Sequence, residues 1–153
     1  MLKGINPLLS PELLKLLCEM GHGDEIVLAD ANFTAESLAR GKTVLRLPGV
    51  GMRAACAAVL SVFPLDTFVA QPVAYMQVGN TAPGYRSEVQ REVIGDMSAS
   101  ASGSGGSEQC APLERFDFYE RVSRAFAIVQ TGELQAWSNF LFKKGVIAEE
   151  LRP

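Results

Sequence analysis

The fold is decided by residues 20–33, MGHGDEIVLADANF, in which a short apolar run follows a glycine-rich turn. The run Glu25–Ala29 has the length and composition of a strand that is buried on both faces, which favours a parallel sheet. The turn before it holds His22, the only histidine of the chain, between two glycines. Ligands of open α/β sheets bind beyond the carboxyl ends of the strands, so we expect Asp30, which follows this strand, to face a ligand.

The segments on either side alternate between helical and strand patterns. Residues 11–20 form an amphipathic helical pattern with Ser10 as a suitable N-cap and Gly21 at its end. Further strands are predicted at 43–47, 72–79, 111–115, 126–129 and 139–142, and further helices at 34–39 (with Thr34 as its cap), 50–63, 85–97 and 116–124. This alternation predicts one domain over residues 1–153, an α/β fold built as a compact three-layer sandwich with a mostly parallel central sheet.

Composition indicates a globular protein without affinity for polyanions. Of the 153 residues, 48% are hydrophobic and 20% are charged, and the mean hydropathy of +0.13 suggests extra surface buried between subunits. A net charge of −3 without a basic cluster argues against nucleic acid as a partner. No apolar run reaches the roughly 18 residues of a membrane span, and prolines interrupt the N-terminal one, so neither a membrane span nor a secretory signal is expected.

Two other features of the chain concern its compartment and its mobility. Cys18, Cys56 and Cys110 are widely spaced and form no Cys-x-x-Cys pair, so with a single histidine they do not predict a zinc site. We interpret them as reduced, core-like thiols of a cytoplasmic protein, because Cys18 and Cys56 lie within apolar helical patterns. Residues 98–107 contain only serine, alanine and glycine, which predicts a flexible surface loop inside the domain.

His22 is a candidate acid/base group. The pKa of a free imidazole is about 6.5, so this side-chain type can take up or release a proton near neutrality. The flanking glycines leave space for a substrate beside the ring. The alternative is a structural histidine that caps a helix or packs in the core. The neighbouring Asp24 and Glu25 are explained equally well as charges of a solvated turn.

Three blocks of the sequence carry a family resemblance. They comprise Leu8–Leu14, Met20–Ile26 and Ala29–Phe33 near the N-terminus, Glu114–Arg121 with Ala125–Glu133, and Asn139–Val146. Taken together and in this order, the blocks resemble the signatures of the L-fucose mutarotase family, whose relatives include the D-ribose pyranases. The resemblance implies a sugar mutarotase, an isomerase that interconverts the α and β anomers of L-fucose or a related pyranose without a metal or other cofactor.

The resemblance also implies roles for individual residues. His22 would be the principal acid/base and Tyr119 an assisting proton-transfer or orienting group. Asp30, Arg115 and Asn139 would hold sugar hydroxyls through hydrogen bonds. The alternatives are that Arg115 pairs with a nearby carboxylate and that Tyr119 packs in the core. An arginine at position 115 is typical of the fucose-type branch, since ribose-type relatives usually carry histidine there.

One departure from the family pattern concerns the choice of sugar. Trp137-Ser138 stands where the family commonly has Tyr-Gly. The indole can still lie against the apolar face of a pyranose, but the phenolic hydroxyl is lost. The alternative for Trp137 is a place in the core or in a subunit interface. The identity of the sugar therefore stays open.

The remaining expectations concern the assembly of the protein and two alternative functions. The resemblance implies a homo-oligomer, a pentameric ring or a decamer of two rings, with the monosaccharide site between neighbouring subunits. A second possible activity is that of a ribose-type pyranase, which converts pyranose and furanose ring forms. A third possibility is a non-catalytic monosaccharide-binding protein with the same fold.

Overall fold

Helices and strands alternate along residues 2–99 and 106–148, the part of the chain that the structure, a computed structural model, describes. The helices are α1 (Pro11–Glu19), α2 (Ala35–Ala39), α3 (Met52–Leu60), α4 (Glu88–Ala99) and α5 (Arg115–Arg124), and a short 3-10 turn covers Ser107–Gln109. The strands are β1 (Glu25–Ala29), β2 (Val44–Leu47), β3 (Val73–Met76), β4 (Cys110–Leu113), β5 (Ala127–Thr131) and β6 (Phe140–Lys143). The predicted order of elements is confirmed.

All six strands belong to one mixed sheet with the order β2-β5-β1-β6-β3-β4. The pairs β1–β5, β2–β5 and β3–β4 are parallel, whereas β6 runs antiparallel to both β1 and β3. We call the end of the sheet at which β1 to β5 finish its carboxyl end, and the opposite one its amino end. Because β6 runs the other way, it begins at the carboxyl end and finishes at the amino end.

Helices cover both faces of the sheet and create two apolar cores. Along β1, Ile26 and Leu28 contact the core formed with α1, α3 and α4, while Val27 and Ala29 contact the core formed with α2 and α5. All four side chains are 0% exposed. Burial on both faces explains why this strand is a continuous apolar run instead of an alternating one. The predicted α/β class and three-layer, mostly parallel arrangement are therefore confirmed.

The starts of the helices show which capping residues are used. Ser10 caps α1, because its hydroxyl accepts a hydrogen bond from the amide of Leu13 at 3.2 Å. Thr34 occupies the corresponding position before α2, but its side chain makes no capping bond. Helix α4 begins later than the predicted residue 85, because Ser87 forms its cap. Helix α3 is shorter than the predicted 50–63, since the chain turns ahead of Pro64.

Two sequence expectations need correction at the level of single residues. Cys56 and Cys110 are buried, but Cys18 is exposed, because α1 directs Leu13, Leu16 and Leu17 inward instead. Residues 98–99 belong to α4 and residue 107 to the 3-10 turn, so the ends of the predicted loop are helical. Residues 100–105 of that loop lie outside the described residues. Among the described helices, none combines the length and apolar character needed to cross a bilayer.

Candidate functional site

Five of the six predicted site residues lie at or near the carboxyl end of the sheet. Asp30 directly follows β1, and Arg115 begins α5 just after β4. Trp137 and Asn139 precede β6, which starts at this end because it is antiparallel. Tyr119 lies one helical turn further along α5. The strand ends therefore gather these residues from distant parts of the sequence.

Asp30 and Asn139 form a reciprocal pair. The backbone amide of Asp30 donates to Oδ1 of Asn139 at 2.8 Å, and Nδ2 of Asn139 donates to Oδ2 of Asp30 at 2.9 Å. The amide of Asn32 donates to the other carboxylate oxygen at 3.0 Å. Both paired side chains are buried. Asn139 thus fixes the orientation of the Asp30 carboxyl in addition to any contact that it makes with a sugar.

A second amide holds the loop that follows Asp30. Nε2 of Gln130, on β5, donates to the carbonyls of Ala31 and Phe33 at 3.1 and 3.0 Å and approaches that of Asp30 at 3.4 Å. Arg46 donates to the oxygen of the same side chain. Because the sequence separation is about a hundred residues, no local pattern indicates this support, and the sequence analysis missed it.

The electrostatic surroundings of Asp30 favour its protonated form. Burial raises the pKa of the Asp30 carboxyl above its ordinary value of 3.8, and the negative charge of Glu133 adds to that effect. Hydrogen bonds from Asn139, Asn32 and the backbone of Trp137 oppose the rise without cancelling it. The carboxyl consequently has a smaller preference for the charged state than an exposed aspartate has.

This pKa shift predicts a pH dependence of stability that Asp30→Asn removes. A raised pKa in the folded state contributes stability that is complete below the ordinary value of 3.8 and is lost as the pH rises through the raised pKa. The wild type should therefore lose stability relative to Asp30→Asn as the pH rises over this range. The difference between their free energies of unfolding should fall and then level off. Urea unfolding at a series of pH values measures it, and a difference that is constant or increases with pH would contradict the assignment.

Arg115 and Trp137 line a cavity beside this pair. The cavity has a volume of about 370 Å³ and is lined by residues 77–81, Glu114, Arg115 and Trp137. Arg115 is exposed and lies over the ring of Phe116, with its guanidinium carbon 4.5 Å from the ring centre. It forms no salt bridge with a described residue, so the alternative pairing with a nearby carboxylate is not observed. Its guanidinium is available to a polar ligand.

Trp137 is half-buried and adopts an unusual backbone conformation. Its φ of +68° lies in the left-handed region, which tryptophan seldom occupies. The indole lies against Gly79, where an added methyl group would be only 3.0 Å from the ring. The next residue, Ser138, is fully buried, and its hydroxyl has no hydrogen-bond partner among the described residues. The ring is thus one wall of the cavity.

Tyr119 packs against aromatic neighbours at the edge of the core beneath α5. Its ring packs edge-on against Phe33 at 5.6 Å and Phe116 at 6.2 Å, and it borders the core beneath α5. The side chain is only partly buried. We call Asp30, Arg115 and Trp137 the carboxyl-end cluster. Phe33 follows Asp30 in the same loop, so Tyr119 lies beside this cluster.

His22 lies at the opposite end of the sheet. It precedes β1, whereas Asp30 follows it, and a strand rises about 3.3 Å per residue, so the five residues of β1 separate the two ends by roughly 17 Å. The His22 side chain is 46% exposed, which excludes a core histidine. Within one chain, the structure does not bring His22 together with the other five predicted residues.

A buried carboxylate orients the His22 ring. Nε2 of His22 lies 3.3 Å from Oδ1 of Asp66, which also accepts a hydrogen bond from the amide of Phe68 at 3.0 Å. That amide, followed by His22, holds the pKa of the Asp66 carboxyl below its ordinary value. Asp66 was not predicted from the sequence, although a local turn, in which an aspartate after Pro64 binds the amide two residues later, is a signal for it.

The end of β6 positions the turn that carries His22. The amide of Gly23 donates to the carbonyl of Lys144, and the amide of Lys144 donates to the carbonyl of Asp24, both at 2.8 Å. The Lys144 ammonium group donates to the carbonyls of Leu17 and Met20 at the end of α1, each at 2.6 Å. Strand β6 therefore supports Asn139 at one end and the His22 turn at the other.

Comparison with known proteins places the chain among sugar-related relatives. A fucose mutarotase of Homo sapiens is 44% identical over 149 residues, which cover 96% of this chain and 95% of that protein. An L-fucose mutarotase of Haemophilus influenzae is 42% identical over 149 residues, covering 95% and 97%. The crystal structure of the Streptococcus pneumoniae fucose mutarotase in complex with L-fucose matches with a TM-score of 0.82 at 38% identity, covering 96% and 100%. A family model matches residues 3–147, and the chain therefore belongs to the RbsD / FucU transport protein family.

Proposed function

We propose that this protein is a mutarotase that interconverts the α and β anomers of L-fucose or a closely related pyranose. One observation carries the proposal: Arg115 and Trp137 line one cavity at the carboxyl end of the sheet, and the buried carboxyl of Asp30 accepts hydrogen bonds there from Asn139 and from the backbone of Trp137. Carboxylate and guanidinium groups bind sugar hydroxyls, and an indole packs on the C–H face of a pyranose. Relatives named for the same reaction support the assignment.

The active centre is composite, with His22 from one copy facing the carboxyl-end cluster of a neighbouring copy. His22 is too far from Asp30 within its own chain, and it stands on an exposed surface beside Phe68, which is 74% exposed. An exposed aromatic next to a candidate acid/base group is suited to contact with another subunit. We therefore propose a homo-oligomer, a pentameric ring or a decamer, in which each site lies between neighbours.

Proton transfers at two oxygens account for the reaction. His22 removes the proton from the anomeric hydroxyl, the C1–ring-oxygen bond breaks, and the ring oxygen takes up a proton. The aldehyde rotates about the C1–C2 bond, and the same steps in reverse close the ring with the opposite configuration. Since Nε2 of His22 faces Asp66, Nδ1 is the nitrogen that exchanges protons. Tyr119 assists by donating or accepting a proton at the other oxygen.

The remaining residues bind and orient the sugar. Asp30 and Arg115 hold hydroxyl groups, with Asn139 fixing the carboxyl of Asp30 and Trp137 covering one face of the ring. Arg115 favours a fucose-type substrate over ribose. The buried thiols of Cys56 and Cys110 suit a reducing compartment, so we propose a cytoplasmic location.

Exchange NMR of sugars with the purified protein tests the function. Saturating the α-pyranose anomeric proton of L-fucose should reduce the β-pyranose signal when the protein is present. Exchange into furanose signals of ribose, without α/β exchange of fucose, would instead indicate a pyranase. Line broadening by binding, without exchange of either sugar, would indicate a non-catalytic binding protein.

Asp66→Asn tests the orientation of the His22 ring. The amide keeps the size of the carboxyl but presents a donor as well as an acceptor to His22, so it no longer selects Nδ1 as the basic nitrogen. We expect slower anomer exchange at an unchanged KM for the sugar, with a smaller loss than that caused by removing the imidazole. Exchange NMR at several sugar concentrations measures both quantities, and an exchange rate equal to that of the wild type would contradict the orienting role.

A further inference from the structure

Two strained residues face the same cavity. Asn80 has a φ of +57° and Trp137 a φ of +68°, and both line the cavity beside Arg115. A bulky residue such as tryptophan seldom adopts this conformation, and it persists where surrounding contacts hold it there. We therefore expect contacts that hold the backbone of Trp137 in place.

The contacts come from Gln90, a side chain that is 0% exposed behind the cavity. Its Nε2 donates to the carbonyl of Met76 at 2.7 Å and to the carbonyl of Trp137 at 2.9 Å. Met76 ends β3 and leads into the turn 77–81, while Trp137 belongs to the loop before β6. One amide group thus connects two segments that line the cavity and contact each other through Gly79 and Trp137.

A local motif fixes the direction of that amide. Ser87 and Gln90 form a capping box at the start of α4: the amide of Gln90 donates to Oγ of Ser87 at 3.3 Å, and the amide of Ser87 donates to Oε1 of Gln90 at 3.0 Å. With Oε1 engaged by the cap, the two N–H groups of Nε2 point away from the helix. A glutamine amide has two such donors, and both are used on the cavity walls.

We propose that Gln90 is the positioning residue that holds Trp137 against Gly79 and so sets the aromatic wall of the sugar site. The backbone of Trp137 is restrained through its carbonyl, while the absence of a side chain on Gly79 lets the indole approach closely. The effect on sugar affinity rests on the proposed function; the restraint on the indole does not. Gln90 contacts no reacting group, so its loss should raise KM and leave kcat nearly unchanged.

Three substitutions separate this role from helix capping. Gln90→Glu keeps an oxygen for the capping box but replaces the amide donors by an acceptor facing two carbonyls. Gln90→Met removes the donors and the cap without introducing a charge. Ser87→Ala weakens the cap and leaves the donors of Gln90 in place. If Gln90 acts only as a helix cap, Ser87→Ala should have the same effects as Gln90→Met. If Gln90 positions Trp137, Gln90→Glu should have the same effects as Gln90→Met, and Ser87→Ala should not.

The only tryptophan of the chain makes the test direct. In Gln90→Met and Gln90→Glu, we expect Trp137 emission at longer wavelength and stronger quenching by acrylamide. We also expect a roughly tenfold higher KM for L-fucose, because the buried carbonyl of Trp137 loses its hydrogen-bond partner. Ser87→Ala should retain the wild-type emission and KM. Wild-type emission and KM in a folded Gln90 variant, or equal changes in Ser87→Ala, would overturn the proposal.

A measurement on the wild type covers the case in which the Gln90 variants do not fold. The side-chain amide protons of Gln90 should give NMR signals protected from solvent exchange, because both are hydrogen-bonded in a buried position; rapid exchange would overturn the proposal. If wild-type protein shows no anomer exchange, the proposed function fails. The emission and protection measurements then still decide whether Gln90 restrains Trp137.

Discussion

His22→Ala is expected to slow α/β exchange of L-fucose by roughly 10²- to 10⁴-fold, the usual contribution of a general acid/base group. The imidazole is the group that removes the anomeric proton in the proposed mechanism, and alanine offers no replacement. Sugar binding should persist, because the carboxyl-end cluster of Asp30, Arg115 and Trp137 is unchanged. Saturation-transfer NMR gives the rate, and the change of Trp137 emission on titration with sugar gives the affinity.

The size-matched control for this substitution is His22→Gln. Glutamine can still donate a hydrogen bond to Asp66, but it does not exchange protons near neutral pH. It should therefore be as inactive as the alanine variant while keeping the local structure of the turn. Substantial exchange activity in a folded His22→Gln protein would show that another group performs the proton transfer.

The second large effect is restoration of activity when two inactive variants are mixed. His22→Ala has an intact carboxyl-end cluster and Asp30→Asn an intact His22, so a site between the two variants can contain both native residues. When equal amounts assemble at random, roughly one site in four combines a native His22 from one neighbour with a native Asp30 from the other, because each neighbour carries the required residue in half of the cases. Exchange activity should thus rise from near zero to about a quarter of the wild-type value.

The mixed sample must be denatured together and refolded, or co-expressed, so that subunits exchange. His22→Ala mixed with His22→Gln is the matched control and should stay inactive, since no combination supplies an imidazole. Arg115→Met can replace Asp30→Asn as the second partner, and its exposed position makes misfolding a minor concern. If the variants are shown to co-assemble and the mixture still recovers no activity, the whole site lies in one chain.

Local patterns in the sequence were enough to predict the fold class. The apolar run of β1, the cap of α1 at Ser10 and the alternation of elements are all encoded in neighbouring residues, and they predicted the α/β class and a mostly parallel sheet. The order of the strands and the reversed direction of β6 were not predicted. Within the cluster at the carboxyl end, Asp30 was predictable from the rule that ligands bind beyond the ends of parallel strands, whereas Arg115, Trp137 and Asn139 were named through the family resemblance. The position of Asp30 after β1 is sufficient to place it.

The supports of the site could not be predicted, because they act across long distances in the sequence. Asn139 binds Asp30, Gln130 holds the following loop, and Gln90 connects two walls through carbonyl groups that carry no side-chain signature. Backbone carbonyls look alike at every position, so only the tertiary structure reveals which of them an amide reaches. The separation of His22 from Asp30, by contrast, follows from the predicted strand Glu25–Ala29 that lies between them.

Placing the imidazole and the sugar-binding cluster at opposite ends of one strand has a consequence for stoichiometry. In the proposed shared site, each copy would donate one half-centre and receive another, so an open string of n copies would complete only n − 1 centres and leave an unmatched half at either end. A circular arrangement completes all n. In the proposed oligomer, ring closure would therefore add catalytic capacity that no single copy possesses, which is a reason for a cyclic arrangement that does not depend on its stability.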